Sequence, residues 1–374
     1  MRNIVGKAGI AIISIAKKFP KRWGLMFLCG AILLFAGAFV WEALESIGSR
    51  PFTTNMYSTP SDAKAGGTIW HSRGSLFLES TDNYLKIRAW APSFSVIADV
   101  PSITAVNMDI SNVLPGAILD ASGEVKEYRN GLIRHVEIPA QTSGLQLRWN
   151  AIPNGSYSFG VTGDIKADTS NLKNMAQELG FVIIAGDLVG GNNKFPALSK
   201  ALGDLPVPVY TVAGNHDLED LKEKTYVHTL SPYNYYFTYG EARFIFFNNA
   251  SEPLVGSESE GMEWLESQLK DSSSPLTFLF MHRPPFHDLT DTEYKHPHAI
   301  MSQSTSLKTI NLIGQTGVNA VFCGHIHEYH HWQREGVAYI ITGEGRQNRK
   351  EKAPLFARVT VDGTSFKISD EAVR

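Results

Sequence analysis

The sequence VPVYTVAGNHD, residues 207–217, joins an apolar run to the polar cluster Gly214-Asn215-His216-Asp217. The run is short and rich in β-branched residues, which is typical of a buried strand. In an open α/β sheet, ligands bind beyond the carboxyl ends of the strands. The cluster is therefore a candidate functional site, although the same residue types are also common in turns.

Four other polar clusters follow apolar runs of the same kind. The runs are Tyr157 to Thr162, Phe181 to Ala185, Leu276 to Phe280 and Val318 to Cys323. The clusters after them are Gly163-Asp164-Ile165-Lys166, Gly186-Asp187, Met281-His282-Arg283 and Gly324-His325-Ile326-His327. If the runs are strands of one α/β fold, all five clusters can converge on one place despite their separation along the chain.

The residue types in these clusters indicate a metal site. Asp, Asn and His side chains are a mixed set of oxygen and nitrogen ligands, which suits Mn, Fe, Co or Zn. Two divalent ions that share a site need a bridging ligand, usually a carboxylate, and we expect Asp187 to have this role. His325 and His327 could both face the site, because alternate residues of an extended segment point the same way.

The order of the clusters resembles the calcineurin-like metallophosphoesterase superfamily. Its signature is Asp-x-His, Gly-Asp, Gly-Asn-His-Asp/Glu, a single His and Gly-His-x-His. The match runs from about residue 155 to residue 347, and spacer segments such as 235–240 and 339–343 also fit. The resemblance implies an α/β fold with a two-sheet αββα sandwich, and hydrolysis of a phosphoester by metal-activated hydroxide.

Carried over residue by residue, the resemblance implies a site for two divalent metal ions. It assigns Asp164, Asp187 and His327 to the first ion, and Asp187, Asn215, His282 and His325 to the second ion. It also implies that His216 is the general acid for the leaving oxygen and that Asp217 orients the His216 ring. Arg283 directly follows a ligand and could clamp a substrate phosphate.

Lys166 stands where the superfamily has a His two residues after the first Asp. A protonated lysine is a strongly hydrated cation and a poor metal ligand. Purple acid phosphatases also lack this His, but they have a Tyr three residues after the bridging Asp, where this chain has Gly190. Three interpretations are open. The first ion binds weakly, Lys166 directs positive charge toward a substrate phosphate, or Lys166 points to solvent.

Basic residues without acidic ones precede an uninterrupted apolar stretch from Gly24 to Trp41. About 17 to 25 such residues span a bilayer, and Trp23 and Trp41 occupy the positions of interfacial aromatics. Because basic flanks stay in the cytoplasm, residues 1–23 are predicted to be cytoplasmic and the rest of the single-pass protein extracytoplasmic. The alternative is a signal peptide cleaved near Ala38, which would make the enzyme a secreted protein.

The rest of the chain divides into three predicted parts. Residues 42–67 are rich in Ser, Thr, Pro and Gly and are predicted to be a linker. Residues 68–152 contain short alternating runs between turn residues, which predicts a small antiparallel β-sandwich. Residues 153–374 are the predicted metallophosphoesterase domain. With 374 residues, the chain is long enough for two folded units and an anchor.

Composition limits the partners and leaves two functional classes open. A formal net charge of -3 gives no electrostatic reason to expect a nucleic-acid partner, so the expected partners are a phosphoester substrate and the membrane. One class is a phosphoesterase that acts on a monoester, diester or pyrophosphate. The other is a degenerate member that binds a phosphorylated ligand or partner without turnover. His216 and Asp217 favour the enzyme, because a binding module needs no leaving-group acid.

Overall fold

A computed structural model describes residues 61–98, 102–190, 195–219, 224–250, 259–271, 273–286, 303–346 and 354–373. These residues fall within one compact unit, Thr53–Arg374. The predicted cytoplasmic segment 1–23 and the predicted membrane anchor 24–41 lie outside the described residues. In the ranges that the structure does describe, no helix combines the length and apolar character needed to cross a bilayer.

Ten strands form two all-β sheets in the first part of the described chain. They are β1 (Asp62–Ala65), β2 (Thr68–Arg73), β3 (Ser75–Thr81), β4 (Tyr84–Ala89), β5 (Phe94–Ala98), β6 (Val106–Ser111), β7 (Ile118–Ala121), β8 (Lys126–Asn130), β9 (Ile133–Ile138) and β10 (Leu145–Asn150). The sheet orders are β1-β2-β5-β10-β7 and β3-β4-β6-β9-β8. Burial alternates along most strands, as in β10, where Leu145, Leu147 and Trp149 face inward. We call these two sheets the β-module.

The β-module differs from the expectation in two respects. Strand β1 lies within the stretch predicted as a linker, because Gly66 and Gly67 form a two-residue hairpin turn to β2. Their φ angles are 62° and 76°, and a turn with positive φ at both positions favours glycine. In addition, β4 and β6 pair in parallel rather than antiparallel, since the chain between them passes through β5 in the other sheet.

The second part of the described chain contains both strands and helices. The strands are β11 (Tyr157–Thr162), β12 (Phe181–Ala185), β13 (Val209–Val212), β14 (Tyr235–Tyr239), β15 (Ala242–Phe247), β16 (Leu276–Met281), β17 (Ala320–Cys323), β18 (His330–Arg334), β19 (Val337–Ile341), β20 (Leu355–Asp362) and β21 (Ser365–Ala372). The helices are α1 (Ser170–Met175), α2 (Phe195–Gly203), α3 (Asn215–Glu219), α4 (Lys224–Val227), α5 (Glu260–Leu269) and α6 (Gln303–Gln315). The sheet orders are β13-β12-β11-β20-β21 and β14-β15-β16-β17-β19-β18.

An aromatic core lies between these two mixed sheets. The Phe159 ring stacks on Phe181 at 5.2 Å and meets the edge of Phe244, from the other sheet, at the same centroid distance. The alternate residue Ile245 faces the opposite side of its sheet, where it clusters with Met262 of α5. Helices α5 and α6 therefore cover the outside of the second sheet, as one outer layer of the predicted αββα sandwich.

The β-module covers the edge strand β13. The Asn112 side chain accepts a hydrogen bond from the Val209 amide (2.9 Å) and donates one to the Val209 carbonyl (3.0 Å). Arg88 Nη2 donates to the same carbonyl at 3.1 Å. These bonds satisfy backbone groups that an uncovered edge would leave open to pairing with another chain. They also position the start of β13, the strand that leads to Gly214 and Asn215.

Candidate active site

Parallel strands of both sheets end at the candidate site. In the first sheet, β11, β12 and β13 are parallel, and in the second β15, β16, β17 and β19 are parallel. The predicted ligands follow directly: Asp164 after β11, Asp187 after β12, Asn215 at the start of α3, His282 after β16, and His325 and His327 after β17. The structure thus brings these side chains together from five strand ends, as the order of the clusters predicts.

Glycines allow the strand ends to approach one another closely. A Cβ atom at Gly324 would lie 2.6 Å from Asp164 Oδ2 and 2.7 Å from the Ala185 carbonyl oxygen. A Cβ atom at Gly214 would overlap the backbone nitrogen and the carboxylate of Asp187. Both positions need glycine, because backbone atoms and the side chains of Asp164 and Asp187 lie where a Cβ atom would be.

The buried His282 ring is held in one orientation. His282 Nδ1 lies 2.9 Å from the Ala185 carbonyl oxygen. A carbonyl can only accept, so Nδ1 carries the proton and donates it, which leaves Nε2 of the neutral ring with a free lone pair. This nitrogen lies 3.1 Å from Asn215 Oδ1 and 3.3 Å from Asp187 Oδ1. A backbone carbonyl behind a ligating His is the usual arrangement at metal sites.

The atoms around His282 Nε2 fit a cation. A neutral His282, Asn215 Oδ1 and Asp187 Oδ1 present three acceptors to one another, and a shared positive ion satisfies such a cluster. Ligand atoms of Asp164, Asp187 and His282 also lie within 4.8 Å of one another, and all three residues are buried. Burial lowers the pKa of His325 to about 2, so its ring is neutral and can act as a ligand.

Asp164 and His327 form the other half of the site. The His325 amide donates to Asp164 Oδ2 at 2.8 Å, and His327 Nε2 lies 3.1 Å from Asp164 Oδ1. Contact with Asp164 raises the pKa of His327 above its ordinary value. Asp164 Oδ1 is buried, and no described group gives it a well-aligned hydrogen bond, so this oxygen is also available to a cation.

Glu344 supports His327 and was not found from the sequence. Glu344 Oε1 lies 3.1 Å from His327 Nδ1, the nitrogen that faces away from Asp164. Arg346 holds the Glu344 carboxylate through two hydrogen bonds, from Nε at 2.9 Å and from Nη2 at 2.8 Å. A carboxylate behind a metal-binding His orients the ring toward the metal ion. In the sequence, the polar residues that follow the apolar run of β19 could have indicated Glu344.

Asn249 was also not found from the sequence. The buried Asn249 Oδ1 accepts hydrogen bonds from the His282 amide (3.1 Å) and the Arg283 amide (2.9 Å). Its Nδ2 donates to the Arg283 carbonyl at 2.6 Å. Asn249 therefore fixes the turn that carries His282. Two asparagines after the apolar run of β15 form a sixth polar cluster, which could have indicated this position.

The Lys166 side chain points into the site. Its ammonium contacts Asp187 Oδ2, and the side chain is only 10% exposed, so the solvent-facing interpretation is wrong. Burial alone would raise the pKa of Asp187, but the neighbouring His282 and Lys166 side chains outweigh it and hold the pKa below its ordinary value. Asp187 is therefore an anion, with the Lys166 ammonium against Oδ2.

Residues 157–329 match the family model described as calcineurin-like phosphoesterase. This part of the chain is a calcineurin-like phosphoesterase domain. A probable cyclic nucleotide phosphodiesterase of Fibrobacter succinogenes is 27% identical over 176 residues, which are 44% of this chain and 64% of that protein. A 3',5'-cyclic-nucleotide phosphodiesterase of Nostoc sp. is 25% identical over 184 residues, 48% of this chain and 68% of that protein.

The chain thus covers less than two thirds of the Fibrobacter relative. Among solved structures, a purple acid phosphatase from yellow lupin superposes with a TM-score of 0.49 at 13% identity, over 76% of this chain and 70% of that one.

Asp217 of the phosphoesterase domain bonds to backbone amides, and its predicted contact with the His216 ring stays a prediction. Its buried carboxylate accepts hydrogen bonds from the Gly214 amide (2.8 Å) and the Val189 amide (3.0 Å). Burial and the nearby Asp187 raise the pKa of Asp217 to about 8. Because both oxygens are directed at backbone amides, Asp217 holds together the loops that follow β12 and β13.

His216 and Arg283 lie at the border of the same site. The His216 amide donates to Asp187 Oδ1 at 3.0 Å, while its ring is 41% exposed, with Nε2 3.9 Å from Asp187 Oδ2. Arg283 Nε is buried and has no hydrogen-bond partner among the residues described. The phosphoesterase domain therefore presents an exposed imidazole beside its cluster of ligands. This ring can contact an anion that approaches from solvent.

Proposed function

We propose that this protein is a metal-dependent phosphodiesterase. The observation that carries the proposal is the meeting of three acceptors, His282 Nε2, Asn215 Oδ1 and Asp187 Oδ1, at distances of 3.1 and 3.3 Å. The relatives from Fibrobacter succinogenes and Nostoc sp. are named as cyclic nucleotide phosphodiesterases, which supports a diester over a monoester. Residues Asp164, Asp187, Asn215, His282, His325 and His327 would hold the metal, as Mn, Fe, Zn or Co.

When bound, a divalent ion makes water nucleophilic at neutral pH and offsets negative charge on the phosphoryl group. The chain's own residues supply the remaining functions. The exposed His216 ring is placed to donate a proton to the leaving oxygen, since it lies beside Asp187 but remains open to solvent. Arg283, which directly follows His282, contributes a positive charge for a phosphate oxygen. Asn249 and Glu344 keep His282 and His327 in position.

The proposal predicts metal-dependent cleavage of diesters. The full-length chain, purified in detergent and stripped of metal, would be assayed with bis(p-nitrophenyl) phosphate, 3',5'-cyclic AMP and p-nitrophenyl phosphate, before and after addition of Mn²⁺. We expect hydrolysis of the diesters only with Mn²⁺, and faster than that of the monoester. A chain that binds Mn²⁺ but cleaves none of the three substrates would instead support the degenerate, ligand-binding class.

We propose further that residues 24–41 anchor the protein in a membrane, with the phosphoesterase domain on the extracytoplasmic side. The support is the apolar stretch and its one-sided basic flank. A reporter that is active only outside the cytoplasm should be active when fused after Arg374, and a reporter that needs the cytoplasm should be silent. The opposite pattern would reverse the orientation. Release of the protein by a carbonate wash would favour a cleaved signal peptide over an anchor.

A further inference from the structure

The loop after β11 holds Lys166 in a left-handed backbone conformation. The φ angles of Asp164, Lys166 and Ala167 are 53°, 48° and 67°, values that non-glycine residues seldom adopt. The Lys166 amide donates to the Asp187 carbonyl at 3.1 Å and the Ala167 amide to the Leu188 carbonyl at 2.6 Å. Strained conformations of this kind persist where the surroundings impose them, and they cluster at functional sites. Here the strained loop carries a side chain that lies inside the site.

The stem of Lys166 fills the space beside Gly190. A Cβ atom at Gly190 would lie 3.1 Å from Lys166 Cδ and 3.3 Å from Lys166 Cβ, closer than ordinary van der Waals contact. A large side chain at this position would therefore compete with the lysine stem for the same space. Lys166 replaces the His of the superfamily signature, and Gly190 stands where purple acid phosphatases have a Tyr. The two replacements are compatible, because the missing side chain at Gly190 leaves room for the lysine stem.

The two oxygens of Asp187 have different partners. Oδ1 lies 3.3 Å from His282 Nε2 and accepts the His216 amide, whereas Oδ2 contacts the Lys166 ammonium. One way in which a carboxylate bridges two metal ions is to present one oxygen to each ion. In this chain, the ammonium occupies the side of Asp187 that would face the first ion.

The two halves of the site also differ in how their polar atoms are paired. Around His282 Nε2, the ligand-type oxygens Asn215 Oδ1 and Asp187 Oδ1 lie at 3.1 and 3.3 Å. Around Asp164, His327 Nε2 lies 3.1 Å from Oδ1, and the Lys166 ammonium is bound to the adjacent Asp187. A second dication there would be repelled by the ammonium at short range in a buried site.

We propose that the Lys166 ammonium takes the place of the first metal ion, so that the protein binds one divalent ion, through Asp187, Asn215, His282 and His325. The inference rests on the proposed function and specifies how many divalent ions the protein uses for it. Lys166 then provides a fixed single positive charge beside the phosphate-binding region. The charge of Lys166 is part of the chain, whereas the remaining divalent ion must bind from solution.

The experiment counts Mn²⁺ ions in the full-length protein. Elemental analysis after equilibration with Mn²⁺ gives the number per chain. Electron paramagnetic resonance distinguishes an isolated ion from a pair coupled through a shared carboxylate. Lys166→His restores the family's ligand type and suits the backbone, since His tolerates positive φ better than most residues. Lys166→Met removes only the charge. Lys173→His, at an exposed position on α1, is the matched control.

We expect about one Mn²⁺ per chain and an isolated-ion spectrum for the wild type and for Lys173→His. Lys166→His should bind a second ion and give a coupled spectrum, and Lys166→Met should bind the second ion more weakly. Two coupled ions in the wild type, together with metal-dependent hydrolysis, would overturn this inference alone. A single ion in both Lys166 variants would also overturn it. A wild-type chain that binds no Mn²⁺ would overturn the proposed function as well.

Discussion

Replacing Asp187 with Asn should remove metal binding and hydrolysis together. The amide keeps the shape of the carboxylate and can still accept the His216 amide, but it loses the charge that faces both His282 and Lys166. Loss of a partner behind a metal ligand typically costs 10- to 100-fold in affinity or activity, so loss of a central ligand should cost at least about 100-fold. Titration calorimetry with Mn²⁺ and kcat/KM on a diester measure the two effects.

Asp109→Asn provides the control for this change. Asp109 is a carboxylate of the β-module that accepts a hydrogen bond from Tyr84 at 3.0 Å and pairs with His135 at 2.6 Å. The substitution makes the same chemical change in another carboxylate that pairs with a histidine, away from the site. It should leave Mn²⁺ affinity and kcat/KM unchanged. Wild-type Mn²⁺ affinity in the Asp187→Asn variant would show that Asp187 is not a ligand.

Adding one methyl group at Gly214 should have an effect of similar size. The Cβ atom of Gly214→Ala would overlap the backbone nitrogen and the carboxylate of Asp187, and a backbone atom cannot move aside cheaply. Asp187 must shift relative to His282 and Asn215, so Mn²⁺ affinity should fall at least about 100-fold. Overpacking of this kind also lowers the free energy of unfolding, by about 1–3 kcal/mol. Thermal unfolding monitored by circular dichroism measures the second effect.

The matched control is Gly116→Ala, because a Cβ atom there meets nothing within 4 Å. This variant should keep the wild-type Mn²⁺ affinity, with a change in unfolding free energy within about 0.5 kcal/mol. If Gly214→Ala also behaves like the wild type, the loops after β12 and β13 are not packed as closely as the structure indicates.

Local features of the sequence were sufficient to locate the candidate metal ligands. An apolar run followed by Gly-Asp or Gly-Asn-His predicts a strand and the polar residues at its carboxyl end, because strand periodicity and turn chemistry involve neighbouring residues. The five strands appear where the sequence predicts them, and their ends meet because parallel strands place their carboxyl ends at one edge. The roles of His216, Arg283 and the individual ligands stay predictions until the variants are measured.

Composition alone was a less reliable predictor of local structure where the same residues are compatible with two different conformations. Gly66 and Gly67 suit a flexible linker and a tight hairpin equally, and only the pairing of β1 with β2 distinguishes the two. The cover of β13 by Asn112 and Arg88 joins residues far apart in the chain, so no periodic pattern indicates it.

The sequence by itself determined the class of fold, the family of the domain and the candidate metal-binding side chains, since these depend on short motifs and their order. Only the tertiary structure decided which residues contact those side chains and the turns that carry them. It placed Asn249 at the His282 turn, Glu344 behind His327 and Asp217 on backbone amides. It also decided the direction of Lys166, because a side chain's direction follows from its φ and from the space left by distant residues such as Gly190.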